Sequence, residues 1–230
     1  IDKYHELNKG TFSDLGISFD YYHRTSAALH HETAQEFFLK LYEQGDQFEV
    51  REQDQYYDEE FNQFLADRYI KGTCPKCGYA EAFGDQCENC GSDLSPLELI
   101  DPKSTLSGKQ PILRRTKHWY FKLDKHNDWL TEWIEKGTVD GKQLHDPKSW
   151  KNHVIGQSLG WLKEGLKPRA ITRDLDWGIK LPIEGADGKV LYVWFDAPIG
   201  YISATKEWAS ANNKDWKDTE GFIFGRSWKD

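Results

Sequence analysis

The sequence predicts an α/β fold that carries a compact metal-binding knuckle, and three observations lead to this prediction. A strand-like stretch at residues 16–21 is followed by an amphipathic helix, and a second apolar run at residues 190–195 is typical of a buried strand. All four cysteines fall within residues 74–90. Strands alternating with helices indicate an α/β layer, and the clustered cysteines indicate a small module held by a metal ion.

The first half contains one clear helix. Residues 16–21 alternate apolar with small or polar residues, which predicts a strand. In residues 30–45, apolar side chains recur at the helical spacing on one face, and Gly45 follows as a natural stop. Residues 47–70 are acidic and aromatic with short alternations, so we predict irregular strands and no helix there.

Six further elements are predicted after the cysteines. Residues 118–123 form a strand, and residues 129–136 form a short helix that ends before Gly137. A longer helix is expected to start with Asp146 as N-cap and to run to Gly165. Apolar runs at 179–183 and 189–195 read as strands, the second buried in a parallel sheet because both its faces are apolar, and 199–211 can be helical.

The net charge of −8 is unevenly distributed: residues 1–100 carry −12 and residues 101–230 carry +4. The acidic stretch 51–60 would repel a polyanion, whereas the basic stretches 114–117 and 163–169 would tolerate one or simply be solvated surface. We find no apolar run long enough for a bilayer and no signal peptide, which predicts a cytoplasmic protein without membrane contact. Because the chain starts at Ile1 and lacks Met, we expect a piece of a longer protein.

The cysteines form two Cys-x-x-Cys pairs, Cys74 with Cys77 and Cys87 with Cys90, separated by nine residues. Four thiolates suit tetrahedral zinc, and since they leave no open position for water, one structural Zn²⁺ per chain is expected. Iron knuckles of the rubredoxin kind lie farther apart in sequence, and a redox dithiol needs only one pair. Disulfides between pairs this close are uncommon without a secretion signal.

A second candidate site follows the apolar run that ends at Asp196. Trp194, Ala197, Pro198 and Tyr201 could wall an apolar pocket, and aromatic edges are favourable neighbours for a thioether sulfur. Aromatic stretches at strand ends also serve simply as core. The residue pattern alone leaves both interpretations open.

Several motifs in this order resemble the methionyl-tRNA synthetases, a family of class I aminoacyl-tRNA synthetases, and the resemblance covers nearly the whole chain. They are Gly16-Ile17-Ser18-Phe19-Asp20, Phe64 to Ile70, Thr73-Cys74-Pro75-Lys76-Cys77-Gly78 with the second knuckle, Ile171-Thr172-Arg173-Asp174 with Trp177-Gly178, and Tyr192 to Tyr201.

The resemblance implies an enzyme that activates methionine with ATP and transfers it to tRNA, with a Rossmann-type catalytic domain split by a zinc-bearing connective insertion of mixed α+β structure. On that template, residues 1–46 and 190–230 belong to the catalytic domain and residues 47–189 to the insertion. Trp194, Ala197, Pro198 and Tyr201 would line the methionine side-chain pocket, and Arg173 would lie near the active site. No catalytic residue is carried over.

Two family signatures are absent from these 230 residues: the His-Ile-Gly-His type and the Lys-Met-Ser-Lys-Ser type, expected before Ile1 and after Asp230. Both serve ATP binding in the family. We therefore predict that the chain alone does not form methionyl-adenylate, because the stabilisation of the reacting phosphates is missing. Methionine-dependent pyrophosphate exchange by the purified chain would contradict this. Residues 222–226 follow the family only loosely, so no site residue is assigned there.

Two alternatives to the synthetase interpretation remain at this stage. One is a free-standing zinc-ribbon binding module. A ribbon that binds nucleic acid is disfavoured, because residues 1–100 carry a net charge of −12 and phosphate contacts need Lys and Arg. A dithiol oxidoreductase is the other, and it predicts a reactive thiol of low pKa whose activity is lost in Cys74→Ser. One tightly held zinc with no titratable thiol would exclude the oxidoreductase. The flanking gene sequence would distinguish the synthetase from the zinc-ribbon module.

Overall fold

The computed structural model of the chain describes residues 1–216 and shows a mixed α/β protein, as the sequence predicts. None of the helices in this range is long and apolar enough to cross a bilayer. The α-helices are α1 (Asp2–Asp14), α2 (Ala28–Tyr42), α3 (Asn127–Lys136), α4 (Asn152–Glu164), α5 (Val193–Asp196) and α6 (Gly200–Ala211).

The strands are short, apart from two that pair along most of their length in antiparallel orientation. They are β1 (Phe48–Asp58), β2 (Gln63–Phe64), β3 (Ile70–Thr73), β4 (Ala82–Phe83), β5 (Ile100–Ser104), β6 (Ile112–Phe121), β7 (Thr138–Val139), β8 (Lys142–Gln143), β9 (Arg169–Ala170), β10 (Thr172–Asp174) and β11 (Lys189–Leu191). Their order is β2-β1-β6-β9 in one sheet and β4-β3-β5 in a second, with the pairs β7-β8 and β10-β11 separate.

Two compact units share the chain. The outer unit consists of residues 1–43 together with residues from 173 onward, and the inner unit is Gln44–Thr172. The inner unit ends at Thr172, whereas the sequence places a domain border at 189. The assignment of catalytic and insertion domains stays a prediction.

In the outer unit, α2 forms as the apolar spacing predicts. It begins at Ala28 and ends at Tyr42, and Ala34 and Phe38 are fully buried on one face. The helix α6 also agrees with the predicted helix at 199–211. The strand predicted at 16–21 is wrong: this segment is irregular, and Phe19 instead packs edge-on against Phe12 of α1 at a centroid distance of 5.2 Å. An alternating pattern needs a neighbouring strand to pair with, and none is paired with this segment.

The predicted strand at 189–195 is wrong beyond Leu191. After the three residues of β11 the chain turns at Tyr192 into the helical turn α5. Val193 is 56% exposed, while Phe195 packs against Phe38 with ring centroids 6.4 Å apart. The run is apolar throughout, but after Leu191 it forms a helical turn. Its side chains therefore do not alternate between two faces as they would in a strand. The adjoining run at 179–183 makes only a single antiparallel bridge, from Lys180 to Val190.

The inner unit is built on the antiparallel pair β1–β6, whose register runs from Phe48 opposite Phe121 to Tyr57 opposite Ile112. The strand predicted at 118–123 overlaps β6, which begins earlier, at Ile112, and ends at Phe121, two residues before the predicted end. Its basic stretch lies opposite the acidic stretch of β1, and Arg115 Nε donates to Glu52 Oε2 at 2.9 Å. The two charged stretches thus pair with one another across the sheet, which opposite charges on facing strands favour.

The second sheet, β4-β3-β5, has a small core in which two of the cysteines take part. Its buried members are Leu65, Ile70, Cys74, Ala82, Cys87 and Leu99. Because cysteine side chains fill this core, the arrangement of the sulfur atoms and the folding of the sheet depend on each other.

The helices of the inner unit follow their sequence signals with one correction. The helix α3 ends at Gly137 in the left-handed conformation, as predicted. Asp146 does act as an N-cap and accepts a hydrogen bond from the Lys148 backbone, but it caps a short 3₁₀ turn at residues 147–149. The helix α4 starts only at Asn152, because the chain is extended at Trp150 and Lys151.

Substitution of Gly137 by alanine should destabilise the inner unit more than the same change at Gly141. Both glycines have a positive φ, so alanine costs about 1 kcal/mol at either position. At Gly137 an added Cβ would also lie 2.0 Å from the His145 carbonyl oxygen, whereas nothing lies within 4 Å of it at Gly141. We expect Gly137→Ala to lose about 2–4 kcal/mol of unfolding free energy in denaturant titration. Equal losses for the two variants would contradict the close approach.

Candidate metal centre and aromatic face

The four cysteines lie together at one end of the second sheet. All four sulfur atoms lie within 4.8 Å of one another, with Cys74 Sγ 4.0 Å from Cys90 Sγ and Cys77 Sγ 3.6 Å from Cys87 Sγ. None of them forms a disulfide. Four sulfur ligands at about 2.3 Å from a tetrahedral metal ion are about 3.8 Å from one another. The sulfur separations in the structure therefore suit a metal ion with bonds of that length.

The two knuckles have the same backbone geometry, which the sequence Cys-x-x-Cys-Gly dictates. In the first, Gly78 N–H donates to the Cys74 carbonyl at 3.0 Å, and in the second, Gly91 N–H donates to the Cys87 carbonyl at 2.8 Å. Both glycines have φ near +70°, at 75° and 69°. Only glycine adopts this conformation without strain, so the residue after each second cysteine closes the turn.

The protonation of the thiols differs with their surroundings. Hydrogen bonds with the Ser92 hydroxyl and backbone lower the pKa of Cys90 to about 6, whereas burial raises the pKa of Cys87 to about 11. Metal coordination requires the thiolate form at every ligand. A cation at the centre would therefore have to overcome the burial of Cys87, while Cys90 is readily ionised.

Arg68 connects the two knuckles. It lies just before the strand that leads into the first knuckle, and its side chain contacts residues at the second. Its Nε donates to Asp85 at 3.2 Å and its Nη1 donates to Glu88 at 2.7 Å, and its guanidinium lies 5.0 Å from the centre of the Phe83 ring. Glu88 stands between Cys87 and Cys90. Sequence analysis did not single out Arg68, because its partners lie 17 and 20 residues away.

The second candidate site lies in the outer unit, on α5 and the start of α6. Trp194 is 71% exposed and Tyr201 is 70% exposed, and Pro198 between them is also exposed. Their spacing of four and three residues places the three side chains on one side of the chain as it passes from α5 to α6. We call these three residues the aromatic face. Ala197 is half-buried.

Arg173 is held close to this segment. Its guanidinium lies 4.0 Å from the centre of the Tyr192 ring, and Tyr192 directly precedes α5. Its neighbour Asp174 forms an ion pair with Lys189, a side chain that is nearly buried. Sequence analysis placed Arg173 in the site but missed this pair, whose members are 15 residues apart.

Buried polar side chains connect α2, α5 and α6 in the outer unit, and sequence analysis missed them as well. His30 of α2 and Ser203 of α6 are 0% exposed, and Asp196 of α5 is buried as well. His30 contacts both of the others. The only sequence signal is a histidine within the apolar face of a helix, which is ambiguous on its own.

Comparison with known proteins identifies the class to which this fold and these sites belong. The family model for class I tRNA synthetases (M) matches residues 1–220, so the chain belongs to that family.

The curated relatives that it resembles are methionine–tRNA ligases. It is 57% identical over 217 residues to that of Flavobacterium psychrophilum, covering 94% of this chain and 30% of the relative. To that of Bacteroides fragilis it is 56% identical, covering 96% of this chain and 31% of the relative. The chain thus spans about a third of the length of the curated relatives that it matches.

The fold also matches a solved structure, the Mycobacterium tuberculosis methionyl-tRNA synthetase bound by methionyl-adenylate. The TM-score is 0.56 at 18% identity, over 97% of this chain and 36% of the other. This likeness confirms the predicted fold class. The family membership favours the synthetase interpretation over the free-standing zinc ribbon.

Proposed function

We propose that this chain is a central segment of a methionine–tRNA ligase, an enzyme that activates methionine with ATP and transfers it to tRNA. The observation that carries the proposal is the 57% identity to a methionine–tRNA ligase over 94% of this chain. An enzyme that serves tRNA and ATP in translation would act in the cytoplasm. The outer unit would belong to its Rossmann-type catalytic domain and the inner unit to its connective insertion.

Zinc is the metal that we propose for the cysteine cluster, one ion per chain. Cys74, Cys77, Cys87 and Cys90 would hold it as thiolates, and the sulfur separations of 3.6 and 4.0 Å support a tetrahedral site. With four protein ligands the site has no open position, so the ion would stabilise the fold and take no part in the reaction.

The aromatic face would form part of the methionine site. Trp194 and Tyr201 present large rings to solvent at the turn from α5 to α6, where an apolar ligand could contact both. Aromatic rings contact a thioether favourably, and the small Ala197 between them leaves room for an unbranched side chain. Arg173, fixed against Tyr192, would place a positive charge near the same segment.

Removal of one ring tests this assignment. In the complete ligase, Trp194→Ala should raise the KM for methionine at least about tenfold, because burying an aromatic side chain contributes about 1.5–3 kcal/mol. The measurement is methionine-dependent exchange of pyrophosphate into ATP, with the KM for ATP as a second readout. The KM for ATP should change little, since the ring would contact the amino acid.

The matched control is Trp161→Ala, which removes a tryptophan of similar exposure, 59%, from the inner unit. It should leave the KM for methionine unchanged. Equal effects of the two variants, or an unchanged KM in Trp194→Ala, would place the methionine site elsewhere. A complete protein that shows no methionine-dependent exchange at all would contradict the proposed function itself.

A further inference from the structure

Backbone hydrogen bonds close each cysteine knuckle on itself. In the first knuckle, Cys74 N–H donates to the Tyr79 carbonyl at 2.8 Å, and in the second, Cys87 N–H donates to the Ser92 carbonyl at 2.9 Å. A single metal ion, however, needs ligands from both knuckles at once. The position of one knuckle relative to the other therefore depends on contacts that cross between them.

Arg68 makes such a crossing contact. It lies two residues before β3, the strand that ends next to Cys74. Its partners Asp85 and Glu88 stand on either side of Cys87 in the sequence, with Nε 3.2 Å from Asp85 Oδ2 and Nη1 2.7 Å from Glu88 Oε1. A guanidinium presents its N–H donors in a fixed planar fork, so one arginine can bind two carboxylates at once. Arg68 thus joins the approach to the first knuckle to both sides of Cys87.

The carboxylate of Asp85 depends on this contact. Its Oδ2 accepts from Arg68, while its Oδ1 is buried and has no hydrogen-bond partner among the described residues, although the side chain as a whole is 38% exposed. A buried charged oxygen is costly unless an opposite charge lies close to it. Without Arg68, we expect the segment that carries Cys87 to shift so that water reaches this carboxylate.

The orientation of Arg68 is itself restricted. Its guanidinium lies 5.0 Å from the centre of the Phe83 ring in β4, a cation–π contact. The side chains of Arg68 and Glu88 are 54% and 45% exposed, and ion pairs with that much exposure contribute little to overall stability. A small displacement matters more at a metal ion, where ligand distances are fixed to within about 0.2 Å.

We propose that Arg68 is a positioning residue for the metal centre. By binding Asp85 and Glu88 it places the second knuckle, so that the sulfur atoms of Cys87 and Cys90 meet those of the first. This inference deepens the proposed zinc site and rests on it. Contacts that orient metal ligands typically change metal affinity by about 10–100-fold. Because this bridge is partly exposed, we expect a change near the lower end of that range.

Arg68→Gln removes the bridge without touching a ligand, and it should weaken zinc binding by the purified, reduced chain about tenfold. The measurement is competition for zinc with a chelator, repeated with Co²⁺, whose visible absorption reports thiolate coordination. Lys71→Gln is the matched control. Lys71 is a cation of β3 that pairs with Glu81, next to β4, so its loss removes a positive charge from the same sheet without releasing the second knuckle. It should change the affinity less than about twofold.

Two further variants test the route of the effect. Arg68→Lys keeps the charge but not the planar fork, so zinc binding should stay at least about threefold weaker than in the unaltered chain. The double variant Asp85→Asn with Glu88→Gln removes both partners. Adding Arg68→Gln to that double variant should cause no further loss, because Arg68 acts through these two carboxylates.

The outcomes separate the bridge from the metal centre itself. Equal losses of affinity in Arg68→Gln and Lys71→Gln, full affinity in Arg68→Lys, or a further loss in the triple variant would overturn the positioning role while leaving the metal site in place. Should Arg68→Gln not fold, Arg68→Lys compared with Lys71→Gln decides in the same way. An unaltered chain that binds no metal would contradict the proposed zinc site, and with it the basis of this inference.

Discussion

Replacement of Cys87 by serine is expected to abolish stoichiometric metal binding and to unfold the second sheet of the inner unit. Cys87 is fully buried among Leu65, Ile70 and Leu99, so its sulfur is part of the core and would also serve as a ligand of the proposed metal. Binding of zinc to structural sites of this kind contributes apparent free energies of about 10–16 kcal/mol near pH 7. A hydroxyl in place of the thiolate loses most of that and adds an unpaired polar group to the core.

The measurements are zinc content of the purified chain and its thermal unfolding followed by circular dichroism. Lys76→Ala is the matched control, because Lys76 is exposed in the first knuckle between Cys74 and Cys77. It should retain one zinc and the same melting temperature. A Cys87→Ser variant that holds zinc as tightly as the unaltered chain would show that this cysteine is not a ligand.

Replacement of Phe38 by alanine is expected to cost about 3–5 kcal/mol of unfolding free energy. Phe38 is 0% exposed, stacks on Tyr42 at 5.6 Å and meets Phe195 of α5 at 6.4 Å. The cavity left by its ring would loosen α5 as well as α2. Denaturant titration of the purified chain measures the loss.

Phe38→Leu is the control that keeps most of the volume. It should lose less than about half as much, since leucine still fills the space with apolar atoms. Lys40→Ala, an exposed change on the same helix, should be close to neutral. Equal losses for the alanine and leucine variants would mean that local helix structure, and not packing at this position, determines the stability.

Patterns that are complete within a few turns could be predicted from the sequence. The apolar spacing of α2 places Ala34 and Phe38 inside, Gly137 ends α3, and each knuckle closes at the glycine after its second cysteine. In each of these the residues that decide the structure are neighbours in the chain. Local sequence is therefore enough to predict these features.

Features that depend on distant partners could not be predicted. The run ending at Phe195 is apolar enough for a strand. In the structure it forms a helical turn, in which Phe195 packs against Phe38 of α2. His30 and Asp196 are 166 residues apart, and no local pattern announces their contact. The role proposed for the aromatic face came from the family resemblance, since aromatic side chains at a strand end are core more often than they form a pocket.

X-ray absorption at the zinc edge of the purified chain tests most directly whether four thiolates hold one closed metal site. We expect one zinc per chain with four sulfur neighbours at about 2.3 Å and no nitrogen or oxygen neighbour. Two results would contradict that site. One is an unchanged unfolding temperature after a chelator has left the chain free of metal, and the other is a zinc ion with mixed ligands.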